Sequence, residues 1–188
     1  MSNKVIKALP SILITDSNWD DLRVSLATAR TSGSSSPNFT VFRNGVYVWQ
    51  FISSNTRELF FNLQFPHEWE EGTDVVPHVH FSNNRAGDGT EQISFGLEYT
   101  CANINESFPE TTTITTSPVT VSTTQYQHQI ASFGTLSMSG KKLSTIMMCR
   151  LFRNNGIANN YSDGIFAIDF DIHIQKNTMG SLQEINKF

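Results

Sequence analysis

Hydrophobic residues in this chain recur at every second position rather than every third or fourth. Across Glu58–Phe65 the residues Leu59, Phe61, Leu63 and Phe65 share one side, and Ile93, Phe95, Leu97 and Tyr99 repeat the pattern. Residues Ile165–Ile174 alternate most cleanly. Phe166, Ile168, Phe170, Ile172 and Ile174 fall on one side; Ala167, Asp169, Asp171 and His173 fall on the other. A period of two is the mark of a half-buried strand, because successive side chains point to opposite faces. Val46–Phe51 and Val75–Ser82 are apolar runs that also read as strands, with Pro77 suggesting an edge or bulged position for the second, and Leu143–Phe152 reads as strand or helix, with strand favoured. Residues 1–15 read as an extended N-terminal arm, and Asp16–Arg30 as a strand or one short helix. TSGSSSPN (31–38) and RAGDGT (85–90) are loop and turn by composition. The Thr-dominated stretch 111–124 reads as solvated strands broken at Pro118, and 153–164 as a long hairpin loop. Roughly eight strands separated by turns, with no strand–helix alternation, predict an all-β fold. The expected architecture is a two-sheet antiparallel sandwich, jelly-roll-like, in a single domain over residues 1–188.

Composition narrows the class of partner. The chain has 188 residues, a net charge of −4 and no cluster of Lys and Arg, which argues against nucleic-acid binding through a basic patch. No apolar run approaches the ~20 residues of a membrane span, and the N-terminus lacks the core of a signal peptide, so no membrane partner is expected. Cys101 and Cys149 both sit in apolar stretches and read as buried free thiols made in a reducing compartment. Phe accounts for 14 residues, against three Trp and four Tyr, which suits a strand core or a surface buried between subunits.

One segment carries candidate chemistry: PHEWEEGTDVVPHVHF, residues 66–81. His78 and His80 are two apart in a predicted strand, so both imidazoles face one way, which is half of a metal site. His173, on the polar side of the last strand, is the third candidate ligand for a divalent transition metal. A carboxylate from Glu68, Glu70, Asp74, Asp169 or Asp171 would complete the set. Gly72 to His80 also fits the first motif of the cupins, jelly-roll proteins that hold a catalytic metal, but Asn84 and Arg85 stand where that motif expects Glu, and no second motif follows. The alternative is structural: His78 and His80 bond across the sheet, or stack on Trp69 and Phe81 at a subunit interface. Asp169 and Asp171 share a face and read as a solvated strand face more readily than as a hydrolytic carboxylate pair. No nucleophile elbow, phosphate-binding loop or dinucleotide fingerprint occurs, so whether the chain is an enzyme stays open, with a non-enzyme favoured. Trp49, Trp69 and Tyr99 are candidates for a carbohydrate-stacking platform.

Two blocks, residues 66–81 and FDIHIQKNTMGSLQE (170–184), resemble a family of uncharacterised proteins from tailed phages and large DNA viruses. Pro66, His67, Trp69, Gly72, Thr73, Asp74, Pro77, His78 and His80 match the first block of that family. Asp171, His173, Lys176, Thr178, Gly180 and Ser181 match the second, and Phe81 stands where a Trp is common. The resemblance implies a viral β-sandwich that assembles with itself, most simply as a homotrimer, located in the virion or in the host cytoplasm during infection. The leading expectation is therefore a virion-associated structural protein, with a cupin-like metal-binding protein and a carbohydrate-binding module as alternatives. The expectation that the two histidine-bearing strands meet follows from the shared blocks.

Overall fold

The computed structural model describes residues 18–54, 56–156 and 159–184; the expected arm at 1–15 lies outside them. Twelve strands occur among the described residues: β1 (Asn18–Val24), β2 (Asn38–Arg43), β3 (Val46–Phe51), β4 (Glu58–Gln64), β5 (Val76–Asn83), β6 (Gln92–Ile93), β7 (Phe95–Ala102), β8 (Thr112–Thr115), β9 (Val119–Thr120), β10 (His128–Ser132), β11 (Ile146–Arg153) and β12 (Ile165–Lys176). The ambiguous segment ahead of residue 30 resolves into both readings, strand β1 and a single 3-10 turn at Leu26–Thr28. No helix among the described residues is long and apolar enough to cross a membrane.

The strands form an antiparallel jelly roll. One sheet runs β10-β5-β12-β3-β2, with β1 also on β12, and the facing sheet runs β4-β11-β7-β8. The pairing is nested: β3 with β12, β4 with β11, β5 with β10 and β7 with β8. The chain thus folds back on itself and shuttles between sheets, which brings its late strands against its early ones. The Asn44-Gly45 turn, with Asn44 at φ 50°, is the tight hairpin that adds β2 to β3. Short strands β6 and β9 pair separately.

The inward side chains form one apolar cluster running from Leu26 to Ile174. Leu59, Leu97, Met147 and Leu151 of the smaller sheet face Phe51, Val79, Phe81, Phe170 and Ile172 of the larger. Aromatic contacts cross the gap: Phe61 to Phe170 with centroids 4.9 Å apart, and Phe81 to Phe95 at 5.6 Å. Such pairs contribute about 0.5–1.5 kcal/mol each beyond their buried area. Cys101 and Cys149 are buried free thiols, as the apolar stretches predict, and burial pushes the Cys101 thiol up to about 11.

Three sequence expectations need correction. Pro77 does not mark an edge: β5 is an inner strand between β10 and β12. The ring is tolerated because the β10 ladder ends at Ser132, opposite His78, and the Pro77 carbonyl still accepts from the Phe133 N–H at 2.9 Å. Residues 153–164 are not a hairpin loop, since they cross from β11 in one sheet to β12 in the other. Buried Arg153 anchors that crossing, donating to the carbonyls of Asp163 (2.7 Å) and Tyr161 and to Asn159 Oδ1. The alternation of β12 is also broken. A bulge between Ala167 and Asp169 leaves Ile168 extra. The core face therefore reads Ile165, Ala167, Phe170, Ile172 and Ile174. Phe166 sits on the opposite face, against Phe42 and Tyr126. Period two alone cannot detect one inserted residue, because a bulge resets the phase without changing the local composition.

Deleting Ile168 removes the bulge and keeps every later side chain on its present face. That variant is expected to unfold cooperatively with a loss of about 1–3 kcal/mol, whereas deleting Ile172 inverts the strand beyond it and abolishes folding. Urea unfolding followed by near-ultraviolet circular dichroism distinguishes the two; equal damage from both deletions contradicts the assigned register.

Candidate metal centre

The outer face of the larger sheet, turned away from the core, carries a patch of aligned polar side chains. Ladder register sets their rows. Arg23, Asp171, His78 and Ser132 lie side by side across β1, β12, β5 and β10. Asp21, His173 and Val76 form the row on one side; Asp169, His80 and Ile130 form the row on the other. Neighbouring strands are about 4.8 Å apart, so each row brings its side chains into mutual reach. Together with His128 and Ile168 these residues line an open cleft of about 540 Å³.

The histidines converge as their strand positions predict. Ring centroids of His78 and His80 are 5.0 Å apart, and those of His78 and His173 are 4.6 Å apart. His78, Asp171 and His173 present ligand atoms all within 4.8 Å of one another. Among the carboxylates considered from sequence, Asp171 is the one at the centre. Asp169 lines the cleft and takes the Arg23 guanidinium at 2.5 Å. Glu68 instead pairs with Lys176 at 3.3 Å, and neither Glu70 nor Asp74 lines the cleft.

Asp171 is not part of a solvated face, as the sequence suggested: it is 3% exposed, and His78 beside it is 4% exposed. Isolated buried charge is costly, so its contacts decide what it does. His80 Nε2 lies 3.0 Å from Asp171 Oδ2. A carboxylate only accepts, so His80 carries its proton on Nε2, and its Nδ1 accepts from His128 Nε2 at 2.7 Å. The other oxygen behaves differently. Asp171 Oδ1 lies against His78 Nε2 yet is buried without a hydrogen bond of acceptable geometry. His78 Nδ1 faces the Val76 carbonyl at 3.4 Å, and the tautomer that donates there leaves Nε2 with a free lone pair toward Asp171 Oδ1. Burial holds the His78 imidazole below its ordinary range, with the Asp171 carboxylate opposing, so a second proton is disfavoured. In that tautomer two lone pairs converge in a buried place. His173 Nε2 is engaged by Asp21 Oδ1 at 3.0 Å.

Other sequence candidates fall elsewhere. His67 contacts Ser144 Oγ at 3.0 Å and Ser181 Oγ at 3.0 Å, away from the cleft. That contact, with the Glu70 N–H donating to Gln175 O at 2.8 Å, packs the two resemblance blocks against each other. Asn84 and Arg85, at the cupin Glu positions, bond Asp163 and Glu91 instead. Trp69 and Phe81 are fully buried in the core, on the opposite face from His78 and His80, so they form no stacking partners for them. For the same reason Trp69 is no exposed platform; Trp49 is half-buried, its indole N–H donating to Leu26 O at 2.8 Å, and Tyr99 packs on the core. The sequence reading missed His128, Asp21 and Arg23. The alternation His128, Ile130, Ser132 was the available signal for the first; the other two lie in a segment whose strand phase was ambiguous.

Replacing His80 with Ala removes the donor to Asp171 Oδ2 from a nearly buried carboxylate. The expected cost is about 1–3 kcal/mol, read from the urea midpoint. A change under ~0.5 kcal/mol is the size expected of a surface site and contradicts this role.

No family model matches the sequence, and no curated protein matches it. Among solved structures the chain is similar to the CBM22-1–GH10 modules of the endo-1,4-β-D-xylanase 10B of Clostridium thermocellum complexed with xylohexaose. The identity is 13%, over 88% of this chain and 27% of that one, with a TM-score of 0.40. It is also similar to dimeric latent PorU from Porphyromonas gingivalis, with 9% identity over 90% of this chain and 14% of that one and a TM-score of 0.40. The chain thus spans well under a third of either protein. A third similarity is to TmCBM61 in complex with β-1,4-galactotriose, with 11% identity over 82% of this chain and 86% of that one and a TM-score of 0.32.

Proposed function

We propose that this protein binds one divalent transition-metal ion on the outer face of the jelly roll. The ligands are His78 Nε2, Asp171 Oδ1 and His173 Nδ1. The observation that carries this reading is Asp171 Oδ1, buried without a hydrogen bond, in contact with His78 Nε2 and with a His173 ligand atom within 4.8 Å. With His78 protonated on Nδ1, a cation held by Nε2 and Oδ1 takes both lone pairs. The remaining atom of every ligand has an outer partner: Val76 O for His78, Asp21 for His173 and His80 for Asp171. Such second contacts orient the ligands of metal sites and raise their basicity. His80 accordingly supports the carboxylate and is not itself a ligand. Two imidazoles and one carboxylate suit zinc, iron or manganese better than calcium, whose sites are built from oxygen. The function is binding, and no catalytic step is part of it.

Calorimetric titration of tag-free protein with Zn²⁺ and Mn²⁺ tests the reading. One equivalent is expected to bind. His78→Ala and Asp171→Ala each weaken binding by about a hundredfold, the upper range for disturbing such a site, while His67→Ala leaves it unchanged. No heat from either metal, or equal binding by all variants, refutes the assignment.

A second reading is self-assembly, as the trimer expected of a viral structural protein, and one surface supports self-association. The core-side face of the β2–β3 hairpin overhangs, with Phe39, Val41 and Tyr47 51%, 43% and 50% exposed. Exposed apolar clusters of this kind mark contact surfaces. Light scattering after size exclusion is expected to give a trimer for the native chain and a monomer for Val41→Lys; a monomeric native chain ends this reading.

A further inference from the structure

All three proposed ligands project from one sheet, His78 from β5 and Asp171 and His173 from β12. An ion held there is bound from one side, and its opposite hemisphere faces the cleft. The volume of about 540 Å³ falls within the ~300–1,000 Å³ range of small-molecule sites. Val76, Ile130 and Ile168 give it apolar walls.

One cation stands at the rim. Arg23 lies directly across the ladder from Asp171, in the same row as His78. Its guanidinium spends one nitrogen on Asp169 Oδ2, and the side chain is 70% exposed. The fork has five N–H donors, so several stay available to a ligand on the ion. Charge allows an anion there. Asp21, Asp169 and Asp171 are matched by Arg23 and a divalent ion, and His173, Arg23 and His80 contact one oxygen of each. An arriving anion therefore meets a site balanced in charge, with the open side of the ion and the remaining N–H groups of Arg23 turned toward it.

Building on the metal reading above, we infer that the open side of the ion takes a small oxyanion, carboxylate or phosphate, with one oxygen on the metal and the charge shared with Arg23. Planar guanidinium matches both groups by paired hydrogen bonds. Arg23 is then a specificity-determining residue for the bound anion and contributes nothing to holding the metal.

The test uses the full chain loaded with Co²⁺, whose visible absorption reports the coordination sphere. Malonate and inorganic phosphate are titrated in separate arms. A saturable shift of the cobalt bands in either arm is expected, and the responding arm identifies the oxyanion class. Arg23→Gln should weaken the response by about tenfold or more, the scale of one charge-assisted hydrogen bond. Its Co²⁺ affinity should stay unchanged, and Arg23→Lys should restore part of the loss. Cobalt bands that ignore both anions overturn this inference alone. Bands that shift equally in Arg23→Gln overturn the role of Arg23 and with it the inference. Failure to bind Co²⁺ overturns the metal reading itself, and this inference falls with it.

Discussion

The antiparallel pairing of β5 with β12 is the contact on which the rest of this molecule depends. Its register sets Val79 against Phe170 on one face and His78 against Asp171 on the other. The first pair belongs to the apolar core; the second is the centre of the polar cleft. Because side chains alternate, neither face is adjustable without the other: a slip of one residue would carry imidazoles into the core and Val79 into solvent. The stability of the sandwich therefore holds the site in place. The proposed ligand atoms have outer contacts from Val76, Asp21 and His80.

The bulge at Ile168 works within the same constraint. Beyond it, toward the C-terminus, β12 faces β5 and β1; before it, β12 faces β5 and β3. One extra residue lets a single strand serve both sections of the sheet while Ile165, Ala167, Phe170 and Ile172 all reach the core. Ile168 itself turns to the cleft. The irregularity that disrupts the sequence pattern thus supplies one apolar wall of the site, in keeping with the frequent placement of bulges beside functional residues.

Buried polar side chains differ in how far their contacts compensate them. Arg153, held by three carbonyl and amide oxygens of the crossing loop, carries a guanidinium that burial lowers to about 10. Asp171 Oδ1 is the one buried carboxylate oxygen among the described residues that lacks a hydrogen bond, beside hydroxyls such as those of Ser82 and Ser94. A buried carboxylate oxygen in contact with an imidazole nitrogen, with a second imidazole near both, is an arrangement that a cation would complete.

Much of this was legible in the chain. Alternation in Glu58–Phe65 and Phe95–Tyr99, together with turns of Gly, Asn and Ser, determines strands and their inward faces, because burial on one side of a pleat imposes period two. The spacing of His78 and His80, and of Asp171 and His173, determines that each pair shares a face of its strand. Which strands are neighbours is a different matter. Nothing local in residues 18–24 or 128–132 says that β1 and β10 flank the histidine strands, so Arg23, Asp21 and His128 stayed invisible. Pro77 read as an edge because its missing N–H is a local property, while the place where β10 ends is not. Ladder order and register arise from packing one whole sheet on the other, so only the tertiary structure decided that a carboxylate ninety-odd positions from His78 would lie beside it, buried and incompletely bonded.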